Sequence, residues 1–281
     1  MSETMRVGVV GIGRMGLSML RHLIRQGYPV TACDLNPKQC DAARAAGAEI
    51  AATPADVGKA ADFVIIGVGY DDEVLAVMTG DGGLLQTMRN GSVIAVSSTC
   101  APAFVKSMAE LAGKSGIEIF DAPICRGARA ADDGTLLALV GAKPEVFERG
   151  RPIYQAFSSD VAHLGDVGAG QVGKAMNNFL LWVNGIALIE AGRLCEANGM
   201  DLAKLREALL MSSGASDALK NWDTMTFTWA LKDMQIVAKM ADAAGLSLPI
   251  AGAIKELVKD GRRIKQSNPP DWAGREAAKQ S

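Results

Sequence analysis

The chain has 281 residues and nearly balanced charge, with 29 Lys and Arg against 31 Asp and Glu and a formal net charge of −2. This balance provides no excess of basic residues to attract nucleic acid or anionic lipid, and no apolar run reaches the ~20 residues of a membrane-spanning helix. The length suits one large or two ordinary domains.

The cysteines and the amino-terminal residues indicate a compartment. The five cysteines are odd in number, scattered and without a Cys-x-x-Cys pair, which is typical of free thiols in a reducing cytosol. The chain enters a strand pattern almost at once, without a basic-then-apolar signal segment. We therefore expect a cytoplasmic protein, and because His22 and His163 are isolated, we predict no metal site.

The first predicted strand leads directly into a glycine motif. The run Arg6–Val10 is followed by Gly11-Ile12-Gly13-Arg14-Met15-Gly16 and then by a helical pattern. In this context the first glycine permits a tight turn, the second lets the backbone approach a pyrophosphate, and the third lets helix and strand pack closely. The motif predicts a dinucleotide site with the phosphates at the helix N-terminus; a glycine turn without a ligand is the alternative.

The second predicted strand, Val30–Asp34, ends in an acidic residue. A dinucleotide site needs a partner for the ribose hydroxyls roughly 20 positions after the glycines. A carboxylate accepts from the 2′-hydroxyl and repels a 2′-phosphate, so Asp34 favours NAD, while Lys38 leaves NADP possible. The alternative is that Asp34 caps the helix that starts at Pro37.

Further apolar runs predict buried parallel strands with helices between them. The strands are 62–69, 92–98, 116–121, 136–140 and 160–163, and the helices lie around 71–78, 102–114 and from about 143. This alternation favours an α/β fold with a doubly wound sheet, in which ligands bind outside the carboxyl ends of the strands. The loops 69–72, 97–102 and 121–127 are therefore the predicted walls of a site.

A long helix is predicted from Lys174 to Asn198, after a glycine-rich turn at Gly168, Gly170 and Gly173. Its middle is apolar on nearly all sides, which is typical of a helix enclosed by other elements. Near its start, Lys174 and Asn178 are four residues apart and share one face. A lysine close to a helix N-terminus opposes the macrodipole, which suggests a functional role.

The remainder of the chain is predicted to be helical. Asp201 can cap a helix that runs to about Met211, and two more helices are predicted over 229–244 and 249–265, with a polar tail after them. We therefore predict a sheet domain over 1–164 and an all-helical domain over 165–281, joined by the long helix. A small-molecule site is expected in a cleft between them.

Four segments together resemble the β-hydroxyacid dehydrogenase family, which is related to 6-phosphogluconate dehydrogenase. They are Gly11–Gly16 (GIGRMG), Asp121–Leu136 (DAPICRGARAADDGTL), Gly165–Asn178 (GDVGAGQVGKAMNN) and Lys232-Asp233. The resemblance implies a Rossmann domain, a helical C-terminal domain and NAD(P)-dependent oxidation of a small 3-hydroxy acid. It also implies a homodimer or homotetramer with a small anionic substrate.

The resemblance assigns roles to single positions. Lys174 matches the catalytic lysine, Asn178 the substrate-binding asparagine, and Lys232 a lysine that closes over substrate and cofactor. Ser98 and Thr99 match the loop beside the nicotinamide. The other cofactor positions that it implies are Gly11, Ile12, Gly13, Arg14, Met15, Gly16, Asp34, Val68 and Gly69.

One loop departs from the family pattern. Where the family has Ser-Gly-Gly to hold the substrate carboxylate, this chain has Cys125-Arg126-Gly127. In one interpretation the Arg126 guanidinium, a planar fork of donors, binds an anionic group of the substrate. In the other, Arg126 turns outward and pairs with Asp132 or Asp133.

Two other functions remain open from the sequence. One is imine reduction on the same fold, where another residue commonly replaces the lysine, and the other is a non-catalytic dinucleotide-binding sensor or scaffold. Lys174 argues against both. Cys100 and Cys125 lie in the predicted loops, but neither has a histidine neighbour in sequence, so a thiol nucleophile is not expected.

Overall fold

The computed structural model describes residues 5–274. The chain folds into two compact units, Met1–Lys174 and Ala175–Ser281. The predicted domain ranges, 1–164 and 165–281, stay a prediction. Within residues 5–274, no helix combines the length and the apolar character needed to cross a bilayer.

The first unit alternates strands and helices. The strands are β1 (Val7–Val10), β2 (Val30–Cys33), β3 (Glu49–Ile50), β4 (Phe63–Ile66), β5 (Val93–Val96), β6 (Glu118–Asp121), β7 (Ile124–Cys125), β8 (Leu136–Gly141) and β9 (Ser158–Gly165). The helices are α1 (Arg14–Arg25), α2 (Pro37–Ala45), α3 (Pro54–Ala60), α4 (Asp71–Thr79), α5 (Pro102–Gly113), α6 (Gly127–Asp133) and α7 (Pro144–Gln155), with a 3₁₀ turn at Leu84–Gln86.

These strands form one sheet in the order β3-β2-β1-β4-β5-β6-β8-β7, with β9 paired to β8. The pairs from β3 to β6 are parallel, whereas β8 runs antiparallel to β6 and β7. The predicted doubly wound sheet is confirmed. The carboxyl ends of β1, β2, β4, β5 and β6 therefore lie along one edge, where an open α/β sheet binds ligands.

Both faces of the sheet are covered, which explains the continuous apolar runs. Along β4, Phe63 and Ile65 belong to one core cluster, and Val64 and Ile66 belong to the cluster on the opposite face. Successive side chains of a strand point to opposite faces, so a strand buried on both sides has no polar alternation.

The second unit is helical. Helix α8 (Ala169–Ala197) runs into it from the first unit, and α9 (Leu202–Leu210), α10 (Asp217–Lys220), α11 (Ala230–Ala244) and α12 (Pro249–Ser267) follow. The predicted helices over 201–211, 229–244 and 249–265 are thus present to within two residues.

Helix α8 begins five residues before the predicted start at Lys174, so the prediction of a turn over Gly168–Gly173 is wrong for its last part. Gly170 and Gly173 lie inside the helix. A Cβ on Gly170 would stand 2.5 Å from the carbonyl oxygen of Leu139, and one on Gly173 would stand 2.5 Å from Leu164 Cδ1. Because these glycines have no side chain, the helix can pack closely against the sheet, and they do not form a bend.

The one aromatic residue of the predicted polar tail packs into the helical unit. Trp272 has only 1% of its surface exposed and belongs to the core of the helical unit. Its Nε1 donates to the carbonyl of Leu188 at 3.0 Å, and the neighbouring Pro270 lies against Gly192, where a Cβ would come within 2.3 Å of it. The rest of the predicted tail, 275–281, lies outside the described residues.

Candidate functional site

The glycine turn has the geometry that a dinucleotide requires. Gly11 has φ of +88°, in the left-handed region, and a Cβ there would stand 2.7 Å from the carbonyl oxygen of Gly67. A Cβ on Gly16 would stand 2.2 Å from the carbonyl oxygen of Gly11, whereas no atom of the described residues lies within 4 Å of the Cβ position on Gly13. Gly11 therefore makes the turn, Gly13 leaves the backbone open and Gly16 allows close packing, as the motif predicts. These residues fit a dinucleotide cofactor.

Asp34 is held beside this turn. Its Oδ2 accepts from the Ile12 N–H at 2.6 Å, and its Oδ1 accepts from the Asn36 N–H at 2.8 Å. The side chain that caps α2 belongs to Asn36, which accepts from the Lys38 N–H. The carboxylate of Asp34 thus faces the glycine turn, as a ribose-binding residue must, and the alternative of Asp34 as the α2 cap is wrong.

The side chains of Arg14 and Met15, between the second and third glycines of the motif, contact parts of the protein other than the glycine turn. The guanidinium of Arg14 pairs with the Asp132 carboxylate, which also accepts from the Ser18 hydroxyl at 2.7 Å. These hydrogen bonds from Arg14 and Ser18 hold the pKa of Asp132 well below its usual range. Met15 packs against the core of the first unit. Side-chain contacts of Arg14 therefore join α1 to α6, and a cofactor role for its backbone stays a prediction.

The loops after β4 and β5 meet at the sheet edge. The Ser98 hydroxyl accepts from the Val68 N–H at 3.0 Å, and the Gly69 N–H donates to Glu73 Oε2 at 2.6 Å. Ser98 is buried and Thr99 is half-buried. The structure thus brings together the two loops that sequence reasoning assigned to the cofactor.

The Lys174 side chain lies beside Cys125, in the loop where the sequence differs from the family pattern. Its Nζ lies 3.7 Å from Sγ of Cys125, and Cys125 is 4% exposed at the end of β7. The lysine is half-buried in the second turn of α8. An amine and a thiol therefore lie together at the loop where the resemblance to the family predicts the substrate.

Arg126 adopts a conformation that favours glycine, with φ of +81°. Its guanidinium donates to Asp160 at 2.7 Å, to the Ser159 hydroxyl at 2.8 Å and to the Thr135 carbonyl at 3.0 Å. The predicted partners Asp132 and Asp133 instead pair with Arg14 and Arg129, so the outward interpretation named the wrong partners. Binding of a substrate anion by Arg126 stays a prediction.

Gly127 shares the left-handed backbone of its neighbour, with φ of +74°. It is the first residue of α6, and no atom of the described chain lies within 4 Å of a Cβ built on it. The space around its backbone is therefore open, and its contact with the substrate stays a prediction.

In the helical unit, Asn178 belongs to a buried polar group. Its amide nitrogen donates to Asp233 Oδ2 at 2.8 Å, and the indole nitrogen of Trp182 donates to the same oxygen at 2.9 Å. Asp233 is 4% exposed. Sequence reasoning missed its role, although Asp233 follows Lys232 in the segment that carried the resemblance. Lys232 Nζ lies 5.7 Å from the centre of the Trp229 ring.

Asp121 is a second acidic residue that sequence reasoning did not single out. It is fully buried at the end of β6, and its Oδ2 accepts from the N–H groups of Gly168 and Gln171 at 3.0 and 3.2 Å. Its Oδ1 is buried without a hydrogen-bond partner among the described residues. Burial raises the pKa of Asp121 to about 6, against the opposing effect of the N–H donors.

This carboxyl group predicts a pH-dependent stability. Because its pKa is higher in the folded state than the ordinary 3.8, folding favours the protonated form, and stability falls as the pH rises from below 3.8 to above 6. Between pH 5 and pH 8 the loss is roughly 1 kcal/mol. In urea titrations, Asp121→Asn is expected to gain this amount relative to wild type over that range. Parallel curves for the two proteins would show that Asp121 does not titrate there.

Two family models cover nearly all of the described chain. Residues 6–165 match the NAD-binding domain of 6-phosphogluconate dehydrogenase. Residues 168–268 match the model described as NAD-binding of NADP-dependent 3-hydroxyisobutyrate dehydrogenase.

Individual proteins agree with these models. The chain is 34% identical to 2-(hydroxymethyl)glutarate dehydrogenase of Eubacterium barkeri over 78% of this chain and 73% of that protein. It is 35% identical to the mitochondrial 3-hydroxyisobutyrate dehydrogenase of Rattus norvegicus over 76% of this chain and 64% of that protein. The solved 3-hydroxyisobutyrate dehydrogenase of Mycobacterium tuberculosis shares the fold, with a TM-score of 0.85 at 22% identity, over 99% of this chain and 100% of that one. The chain therefore belongs to the β-hydroxyacid dehydrogenase family of NAD(P)-dependent oxidoreductases.

Proposed function

We propose that this chain oxidises the CH–OH group of a small 3-hydroxy acid with NAD(P), or reduces the matching semialdehyde or keto acid, with Lys174 as general base and acid. The observation that carries the proposal is the position of Lys174 Nζ, 3.7 Å from Cys125 Sγ. The loop with Cys125 follows β6, whose carboxyl end lies at the same sheet edge as the glycine turn, where an open α/β sheet binds its ligands.

Proton transfer and cofactor binding in this reaction are assigned to different residues. Oxidation of a carbinol removes a hydride from carbon and a proton from oxygen, and NAD(P), when bound, supplies the hydride acceptor. Lys174 in its neutral form takes the hydroxyl proton at Nζ and returns it in the reverse direction. N–H groups of the glycine turn and of the start of α1 hold the pyrophosphate, and Asp34 accepts from the ribose hydroxyls.

We propose that the loop 125–127 and Asn178 hold the substrate. A thiol is a weaker donor than the hydroxyl that the family has in the place of Cys125, so backbone N–H groups carry more of the interaction with the carboxylate. An amide has two hydrogens. Since one hydrogen of Asn178 is bound to Asp233, the other can donate to a substrate oxygen. Lys232 is proposed to contact both substrate and cofactor.

The test is steady-state turnover with NAD+ and NADP+ on a panel of 3-hydroxy acids, together with dicarboxylate, phosphonate and sulfonate analogues. Turnover of plain 3-hydroxy acids supports the proposal. Binding of cofactor without turnover of any hydroxy acid would favour the sensor or scaffold, and reduction of cyclic imines alone would favour the imine reductase. Lys174 supports the dehydrogenase over both.

Three broader properties are part of the proposal. Residues 1–164 would bind the cofactor, and residues 165–281 would contribute to substrate binding and to assembly. A homodimer or homotetramer in the cytoplasm is the expected form. Light scattering on the purified chain measures the assembly directly.

NADH is expected to be preferred over NADPH, because a 2′-phosphate would meet the carboxylate of Asp34. Asp34→Ser is expected to narrow this preference, and Asp34→Arg to reverse it. Both changes also remove the 2.6 Å bond from the Ile12 N–H, so the KM of both cofactors should rise. The measurement is kcat/KM for each cofactor, with Lys38→Ala as the control. Equal values for the two cofactors with wild type would contradict the assignment and implicate Lys38.

A further inference from the structure

Gln171 connects α8 to the loop after β5. Its Oε1 accepts from the Cys100 N–H at 2.9 Å, and its Nε2 donates to the Ser98 carbonyl at 2.9 Å. Gln171 is 1% exposed. One carboxamide therefore satisfies a buried donor and a buried acceptor on either side of Thr99, which the resemblance to the family places in the loop beside the nicotinamide.

The backbone of Gln171 is fixed as firmly as its side chain. Its N–H donates to the buried carboxylate of Asp121, which also accepts from the Gly168 N–H. The neighbouring Gly170 is also closely packed, because a Cβ there would stand 2.8 Å from the Asp121 carbonyl. The first turn of α8 is thus bound to the ends of β5 and β6 through polar groups that water does not reach.

Lys174 follows Gln171 by three residues on the same helix. Residues three apart are neighbours on a helix surface, with a rise of ~4.5 Å between them. The position of Lys174 is therefore set by the same turn that Gln171 binds to the loop 98–100. Without the carboxamide, the buried Ser98 carbonyl and the buried Cys100 N–H would each lose a hydrogen bond, and this loss would favour a different arrangement of the loop.

We infer that Gln171 is a positioning residue, whose carboxamide holds the nicotinamide loop and the lysine-bearing turn of α8 in one fixed arrangement. The inference rests on the proposed function for the roles of Lys174 and the loop. The hydrogen bonds themselves are independent of it. Displacement of reacting groups by ~1 Å costs on the order of 10²-fold in rate, so loss of this connection should lower kcat far more than it lowers cofactor affinity.

Two substitutions of similar shape separate the two hydrogen bonds. Gln171→Met removes both, whereas Gln171→Glu keeps an acceptor for the Cys100 N–H and loses the donor to Ser98 only when its carboxyl is ionised, because the protonated form can still donate. We expect Gln171→Met to lower kcat by about tenfold or more, with a smaller rise in the KM of NAD+. In the same variant, hydrogen exchange of the Cys100 amide should accelerate by at least about tenfold. In Gln171→Glu, kcat should fall as rising pH ionises the introduced carboxyl, while the Cys100 amide stays protected.

The control is Thr87→Val, which removes a part-buried hydrogen bond of 2.6 Å to the Ala55 carbonyl in the same unit. It should lower the melting temperature but leave kcat within about twofold, because this hydrogen bond involves neither α8 nor the loop 98–100. If Gln171→Met lowered stability with kcat unchanged, Gln171 would be a structural residue only. If Gln171→Met does not fold, Gln171→Glu decides by the same comparison of kcat with melting temperature.

Different results would contradict the proposed function and this inference. Absence of turnover by wild type on every hydroxy acid would overturn the proposed function. Slow exchange of the Cys100 amide in Gln171→Met would overturn the connection, whatever the enzyme turns over. Fast exchange with unchanged kcat would show that the connection exists but does not position the reacting groups.

Discussion

Lys174→Ala is expected to bind NAD+ with nearly unchanged affinity and to lose ~10²–10⁴-fold in kcat, the usual contribution of general acid–base catalysis. The lysine lies at the loop with Cys125, whereas the cofactor turn and Asp34 form a separate set of contacts around Ile12. Removal of the amine therefore leaves the cofactor residues in place and takes away the group that accepts the hydroxyl proton. The measurements are cofactor binding by fluorescence and kcat/KM across pH.

Lys174→Arg is the matched control, because it keeps a positive charge and donors but cannot be deprotonated. If the amine serves as a base, the arginine variant should be as inactive as the alanine variant, and small primary amines should restore part of the activity of Lys174→Ala. If the charge alone matters, arginine should retain most of the rate. A kcat/KM near that of wild type in Lys174→Ala would assign proton transfer to another group.

Trp272→Ala is expected to lower the free energy of unfolding of the helical unit by about 3–5 kcal/mol, the range for removal of a large buried aromatic side chain. The indole is 1% exposed, and its loss would leave a cavity and remove the hydrogen bond from Nε1 to the Leu188 carbonyl. Chemical unfolding followed by circular dichroism measures the change.

Trp229→Ala provides the comparison, because it removes the same side chain at a position that is 49% exposed. A loss below about 1 kcal/mol is expected there, since surface substitutions away from the core have small effects. Equal losses in the two variants would mean that Trp272 is not enclosed in solution.

The sheet domain could be predicted because its strands are buried on both faces. A run such as Phe63–Ile66 has no polar alternation, and the glycine motif between β1 and α1 has one well-defined physical purpose. Asp34 could also be predicted, because its separation in sequence from the glycines places it at the end of the neighbouring strand. The short strands β3 and β7, of two residues each, could not be predicted because two residues are too few to show a strand pattern in the sequence.

The start of α8 was predicted wrongly for a related reason. Glycine normally disfavours a helix, and only the tertiary contacts of Gly170 with the sheet explain why it lies inside one. Gln171 and Asp233 were passed over because a buried polar residue is recognised only through its partners. Those partners, Cys100 and Asn178, lie 71 and 55 residues away.

From the left-handed backbone at Arg126 and its ion pair with Asp160, we expect the residue types at these two positions to depend on each other. A non-glycine residue in this region costs ~1–2 kcal/mol, and the exposed ion pair with Asp160 offsets only part of that cost. Glycine removes the cost outright, so a relative with glycine at this place has no need of an acidic residue at the place of Asp160. The two positions are expected to covary among relatives, with arginine retained where the aspartate is retained.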